Sequence, residues 1–194
     1  MKSAQKQTDF LRDSRKERGF TLVEVMVSMV ILTVGLLSLL GVFGLTMAAT
    51  QTSQQDSIAK QLAQDAIESI YTARDTANLQ WAQIENAGAT GGIFVAGLQP
   101  INQAGPDAVI GTADDSGAPP QIFTLPGPDG IVGTSDDITL PLTNFKRSIA
   151  IADVLAGGSP VSNLRTITVT VQYTTPKLAV PKQFILSGYI SQYR

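Results

Sequence analysis

The chain has 194 residues, 43% hydrophobic and 15% charged, with a formal net charge of −2. It contains no histidine and no cysteine, which excludes disulfides, thiol chemistry and His-based catalytic triads, and makes any metal an oxygen-ligated one such as Ca²⁺ or Mg²⁺. Six basic and three acidic side chains crowd into residues 1–19, a local +3; the remainder carries −5 and has no clustered Lys/Arg footprint for nucleic acid.

Residues 1–19 are polar. From Val25 to Gln55 no residue is charged, and 25–49 is almost entirely apolar or small. At 1.5 Å per residue a helix of that length crosses a hydrocarbon core of about 30 Å. The basic flank predicts a cytoplasmic N-terminus, with the C-terminal part on the other side. Glu24 stands at the start of this run, where a carboxylate is costly and usually functional.

The helical pattern continues past the apolar run. Ile58, Leu62, Ala66 and Ile70, flanked by Ala59, Ala63 and Ile67, form an apolar stripe in a Gln/Ala/Ser-rich stretch. Asp75 or Thr76 is placed to cap a shorter second helix with Leu79, Trp81 and Ile84 as apolar contacts. "AGATGG" (87–92) breaks it.

Beyond this point the period changes. Residues 164–173 alternate Ile167, Val169, Val171 and Tyr173 against Thr166, Thr168, Thr170 and Gln172, a strand with one buried face. Residues 144–152 and 183–191 read as two more strands, and Pro176 and Pro181 as edge or loop residues. The expectation is an α+β fold, with a long helix packed on a small antiparallel meander. Its divisions are a leader (1–19), a membrane half-helix (20–49), an amphipathic helix with a short second helix (50–92) and a β-rich domain (93–194).

A loop-rich region, about 97–143, carries an internal repeat. "GPDAVIGTADD" (105–115) returns as "GPDGIVGTSDD" (127–137), identical at seven of eleven positions. Asp107, Asp114 and Asp115 match Asp129, Asp136 and Asp137. Two readings stand: solvated Gly-Pro-Asp turns, or hard-oxygen ligands for Ca²⁺, without the acid spacing of an EF-hand. No nucleophile–base pair or phosphate loop is present, so no enzyme is expected.

The junction "RGFTLVEV" (18–25) and the helix that follows resemble the N-terminal signal of type IV pilins and type II secretion pseudopilins. The resemblance implies cleavage by prepilin peptidase between Gly19 and Phe20, methylation of the new Phe20 amine, and an assembly role for Glu24. It implies inner-membrane insertion, then incorporation into a filament with other pilin or pseudopilin subunits. The chain is most like minor pilins of the pilus-modification (PilV-like) type, although it lacks the cysteines of many pilins. The alternatives are a type II secretion pseudopilin, or a calcium-dependent binding module on a membrane anchor. In the filament readings Glu24 pairs with the Phe20 amine of a neighbouring subunit and sets axial register, as a buried polar residue does in coiled coils.

Overall fold

A computed structural model describes residues 19–88, 91–175 and 180–193. The leader through Arg18, residues 89–90 of the helix-breaking stretch, and Pro176 lie outside the described residues. The chain divides after Thr46 into two compact units.

One helix, α1, runs from Leu22 to Asp75. Its apolar part is long and apolar enough to cross a membrane, and none of that window is buried within the chain. Hydroxyls in this part are satisfied internally. Ser28, Thr33, Ser38 and Thr46 each donate to the carbonyl four residues earlier, at 2.7–2.9 Å. That arrangement is what a polar side chain needs where no water is available.

The second unit contains the rest of α1 and the strands. These are β1 (Gln99–Pro100), β2 (Ile122–Leu125), β3 (Ile138–Pro141), β4 (Phe145–Ala156), β5 (Ser159–Tyr173) and β6 (Lys182–Ser191). A four-stranded antiparallel sheet has the order β1-β4-β5-β6, so β4, β5 and β6 form the expected meander. Gly157 and Gly158, both at positive φ, make the two-residue turn between β4 and β5. Glycine adopts that pair of conformations without strain, and such a turn matches the strand twist.

The helical stripe covers the inner face of this sheet. Ile58, Ala59, Leu62, Ala63, Ala66, Ile67 and Ile70 are buried with Ile149, Ile167, Val169, Val171, Tyr173 and Ile190. Full burial of each Val or Ile contributes about 1.5–3 kcal/mol. The Tyr71 hydroxyl donates to the Tyr189 carbonyl, and Arg74 Nη1 to the Ser191 carbonyl, each at 3.0 Å, which ties α1 to β6.

The short second helix does not form. The Thr76 hydroxyl turns back to the Thr72 and Ala73 carbonyls and so finishes α1. Ala77 then enters the left-handed region. Only one 3-10 turn follows, Trp81–Gln83. The backbone there is claimed by a neighbour in space: Ile93 and Phe94 donate to the Gln83 and Glu85 carbonyls. Leu79 and Ile84 are nevertheless buried, and Trp81 packs against the core. The β2–β3 hairpin is also additional to the expected strands.

Two buried arginines enter the inner face in register with its apolar residues, Arg147 on β4 and Arg165 on β5. Arg165, 7% exposed, is well partnered. It donates to the Trp81 and Ile84 carbonyls at 2.6 and 3.0 Å, pairs with Glu85 and with Asp153, and lies 4.3 Å from the Trp81 ring centroid. Trp81 Nε1 in turn donates to the Ser162 carbonyl at 2.9 Å. Arg165 thus staples the 81–85 segment to the sheet. Replacing it with Ala strands Glu85 and two carbonyls, and we expect a loss of about 3–5 kcal/mol, read as a lower denaturant midpoint.

Candidate processing site and repeat loops

Gly19, Phe20 and Thr21 precede the first helical residue and are not helical. Phe20 is 82% exposed. A Cβ placed at Gly19 meets nothing within 4 Å, and the backbone there is not in the left-handed region. Among the described residues, neither packing nor backbone conformation demands glycine at this position. A groove in another protein, holding an extended backbone closely, would demand it.

Glu24 lies in the first turn of α1. Its N–H donates to the Thr21 hydroxyl at 3.2 Å, so Thr21 caps the helix. The sequence carries a signal for this, because Thr21-Leu22-Val23-Glu24 has the Thr-x-x-Glu spacing of a capping box. An acid here also interacts favourably with the helix dipole. Glu24 is exposed, and no described residue forms an ion pair with its carboxylate.

Gly35, Gly41 and Gly44 are likewise open, with nothing within 4 Å of an added Cβ. Glycine in a helix interior costs roughly 0.5–1 kcal/mol against Ala. Among the described residues, no contact offsets that cost.

The Asp repeats fold into two copies of one hydrogen-bonded loop. In the first, Asp107 Oδ1 accepts the Val109 N–H at 2.8 Å. Asp114 accepts the Thr112 hydroxyl and the Asp107 N–H, and Asp115 accepts the Gly105 and Gly111 N–H groups. In the second, Asp129 accepts from Ile131, Asp136 from Thr134 and Asp129, and Asp137 from Gly133. The repeated glycines are required. A Cβ at Gly105 or Gly127 would lie 2.4 or 2.3 Å from the Asp114 or Asp136 carboxylate, and Gly111 and Gly133 have φ of 96° and 100°. The Thr112 hydroxyl, aided by Asp107, holds the Asp114 carboxyl below the usual range; Thr134 and Asp129 do the same for Asp136.

The copies differ in setting. The first packs on the core, with Val109 buried and Ile110 N–H donating to the Ser69 hydroxyl at 3.2 Å. The second rides on the β2–β3 hairpin with Ile131 and Val132 about 60% exposed. Asp107, Asp114 and Asp115 bring carboxylate oxygens within 4.8 Å of one another. Among the described residues Asp129, Asp136 and Asp137 form no such group, and Asp137 Oδ1 is buried without a hydrogen-bond partner.

Sequence reasoning missed Thr21, Arg147 and Arg165. The signal for both arginines was their position in the strand alternation, on the face of Phe145 and Ile149 or of Ile167 and Val169.

Residues 14–40 match the family model of the prokaryotic N-terminal methylation motif. The chain matches no curated protein and no solved structure. With the Gly19–Phe20 bond non-helical and accessible, and Glu24 in the first turn of an apolar helix, that match makes the chain type IV pilin-like at its N-terminus, with the motif of a prepilin-peptidase substrate.

Proposed function

We propose that this chain is a minor pilin-like structural subunit of a type IV pilus. Prepilin peptidase removes residues 1–19, Phe20 becomes the methylated N-terminus, and residues 20–49 hold the protein in the inner membrane before assembly. The C-terminal part, from residue 50 onward, faces the periplasm. The chain then enters the filament through α1, among other pilin subunits. The observation that carries this reading is the methylation motif at 14–40, ending in a helix whose apolar half is uncovered by its own chain. Apolar surface on that scale requires lipid or other helices around it.

Mass spectrometry of the protein from its native membrane tests the first step. We expect a chain that begins at Phe20 and carries one added methyl group. A chain beginning at Met1 removes every filament reading. Sheared surface filaments that contain the protein support the pilus; loss of exoprotein secretion on deletion, with pili intact, favours the type II secretion pseudopilin instead.

The repeat loops are self-sufficient as turns, since each carboxylate already accepts N–H or hydroxyl groups from its own loop. If the chain takes Ca²⁺, the residues that would hold it are Asp107, Asp114 and Asp115, whose hard oxygens keep further lone pairs. Calorimetric titration of the full chain in detergent decides between the two readings. Absence of heat and of any thermal shift at millimolar Ca²⁺ leaves both repeats as turns.

A further inference from the structure

Arg147 presents a contrast with Arg165. It is 5% exposed, on the inner face of β4 between the buried Phe145 and Ile149. A guanidinium carries five N–H donors. Here one nitrogen makes a single long hydrogen bond, Nη1 to the Leu62 carbonyl at 3.4 Å. No described carboxylate forms an ion pair with it; Asp115 and Asp65 act on it only from farther away. Burial pushes its pKa down to about 10, so it is still charged at neutral pH. A buried charge normally has partners that replace its lost hydration.

Arg147 lines a cavity of about 490 Å³, between the first repeat loop and the β1–β4 edge. That volume lies in the range of small-molecule sites, about 300–1,000 Å³. Val95 and Ile149 supply apolar wall; Thr112 and Ser116 also line it, their hydroxyls donating to Asp114 and to the Ala113 carbonyl. Asp115 also lines it and is held by the Gly105 and Gly111 N–H groups. Asp115 repels a dianion about twice as strongly as a monoanion, and a planar carboxylate matches the guanidinium fork. We propose that this cavity binds a small organic carboxylate, its anionic end on Arg147 and its hydrocarbon body against Val95 and Ile149.

The test is calorimetric titration of the full chain in detergent micelles with benzoate, and with benzamide as the neutral isostere. We expect saturable benzoate binding, and benzamide weaker by about tenfold or more, the usual cost of losing a charge-assisted hydrogen bond. Arg147→Met should lose the preference for benzoate. Ala113→Trp, a substitution at an exposed residue of the cavity wall, should lose binding while keeping the wild-type thermal melt, and so covers the case in which Arg147→Met does not fold. No saturable binding of benzoate, equal binding of benzamide, or benzoate binding undiminished in Ala113→Trp each overturns the proposal.

Discussion

Gly19→Ile is expected to leave the chain uncut, with Met1 still at its N-terminus, while the C-terminal unit melts as in the wild type. The second half of that expectation follows from open space: a Cβ at residue 19 meets none of the described residues within 4 Å. The first half follows from the protease. A β-branched side chain next to the scissile bond pushes the backbone out of a close-fitting groove, and a displacement of about 1 Å can cost about a hundredfold in rate. Mass spectrometry of the membrane-bound protein reads the result. Normal processing of Gly19→Ile would show that the glycine is not the recognition element.

Glu24 separates two roles by magnitude. As a first-turn acid beside the Thr21 cap, it contributes about 0.3–1 kcal/mol to the start of α1. As the partner of a neighbour's Phe20 amine in a low-dielectric filament core, its loss leaves an unpaired charge and costs about 3–5 kcal/mol per contact. Glu24→Ala should therefore leave insertion and cleavage intact but strongly reduce the protein recovered in sheared filaments. Glu24→Gln keeps the capping geometry and removes the charge, so it should fail to the same degree. Filament recovery of Glu24→Gln near wild type would assign Glu24 to the cap and end its proposed role in register.

The methylation motif occupies a short part of the chain, and it alone among the comparisons bears on function. The C-terminal unit is therefore read from its own contacts. There, exposed Ile131 and Val132 repeat the pair that the first loop places against the core as Val109 and Ile110. Two loops of nearly one sequence share most of their hydrogen bonds and differ in what surrounds them and in the last carboxylate, where Asp115 accepts the Gly105 and Gly111 N–H groups and Asp137 accepts only that of Gly133.

That difference marks the boundary of what could be read in advance. The sequence by itself determined the long helix, its buried stripe, the meander and the alternating face of β5, because periods of 3.6 and 2 are local consequences of backbone geometry. It also carries the methylation motif at 14–40, because a processing signal is read as a linear peptide. The hydrogen bonds of the Asp repeats are also made within each repeat, between residues two to ten apart. Tertiary structure decided the fate of residues 76–85, where Ile93 and Phe94 took the carbonyls that a second helix would have used. It decided that Arg165 is well partnered and Arg147 is not, although both sit at inward positions of neighbouring strands. Partner atoms for a buried charge come from distant segments, here 81–85 for one arginine and α1 for the other. Strand alternation states which way a side chain points, and only the packed chain states what it meets there.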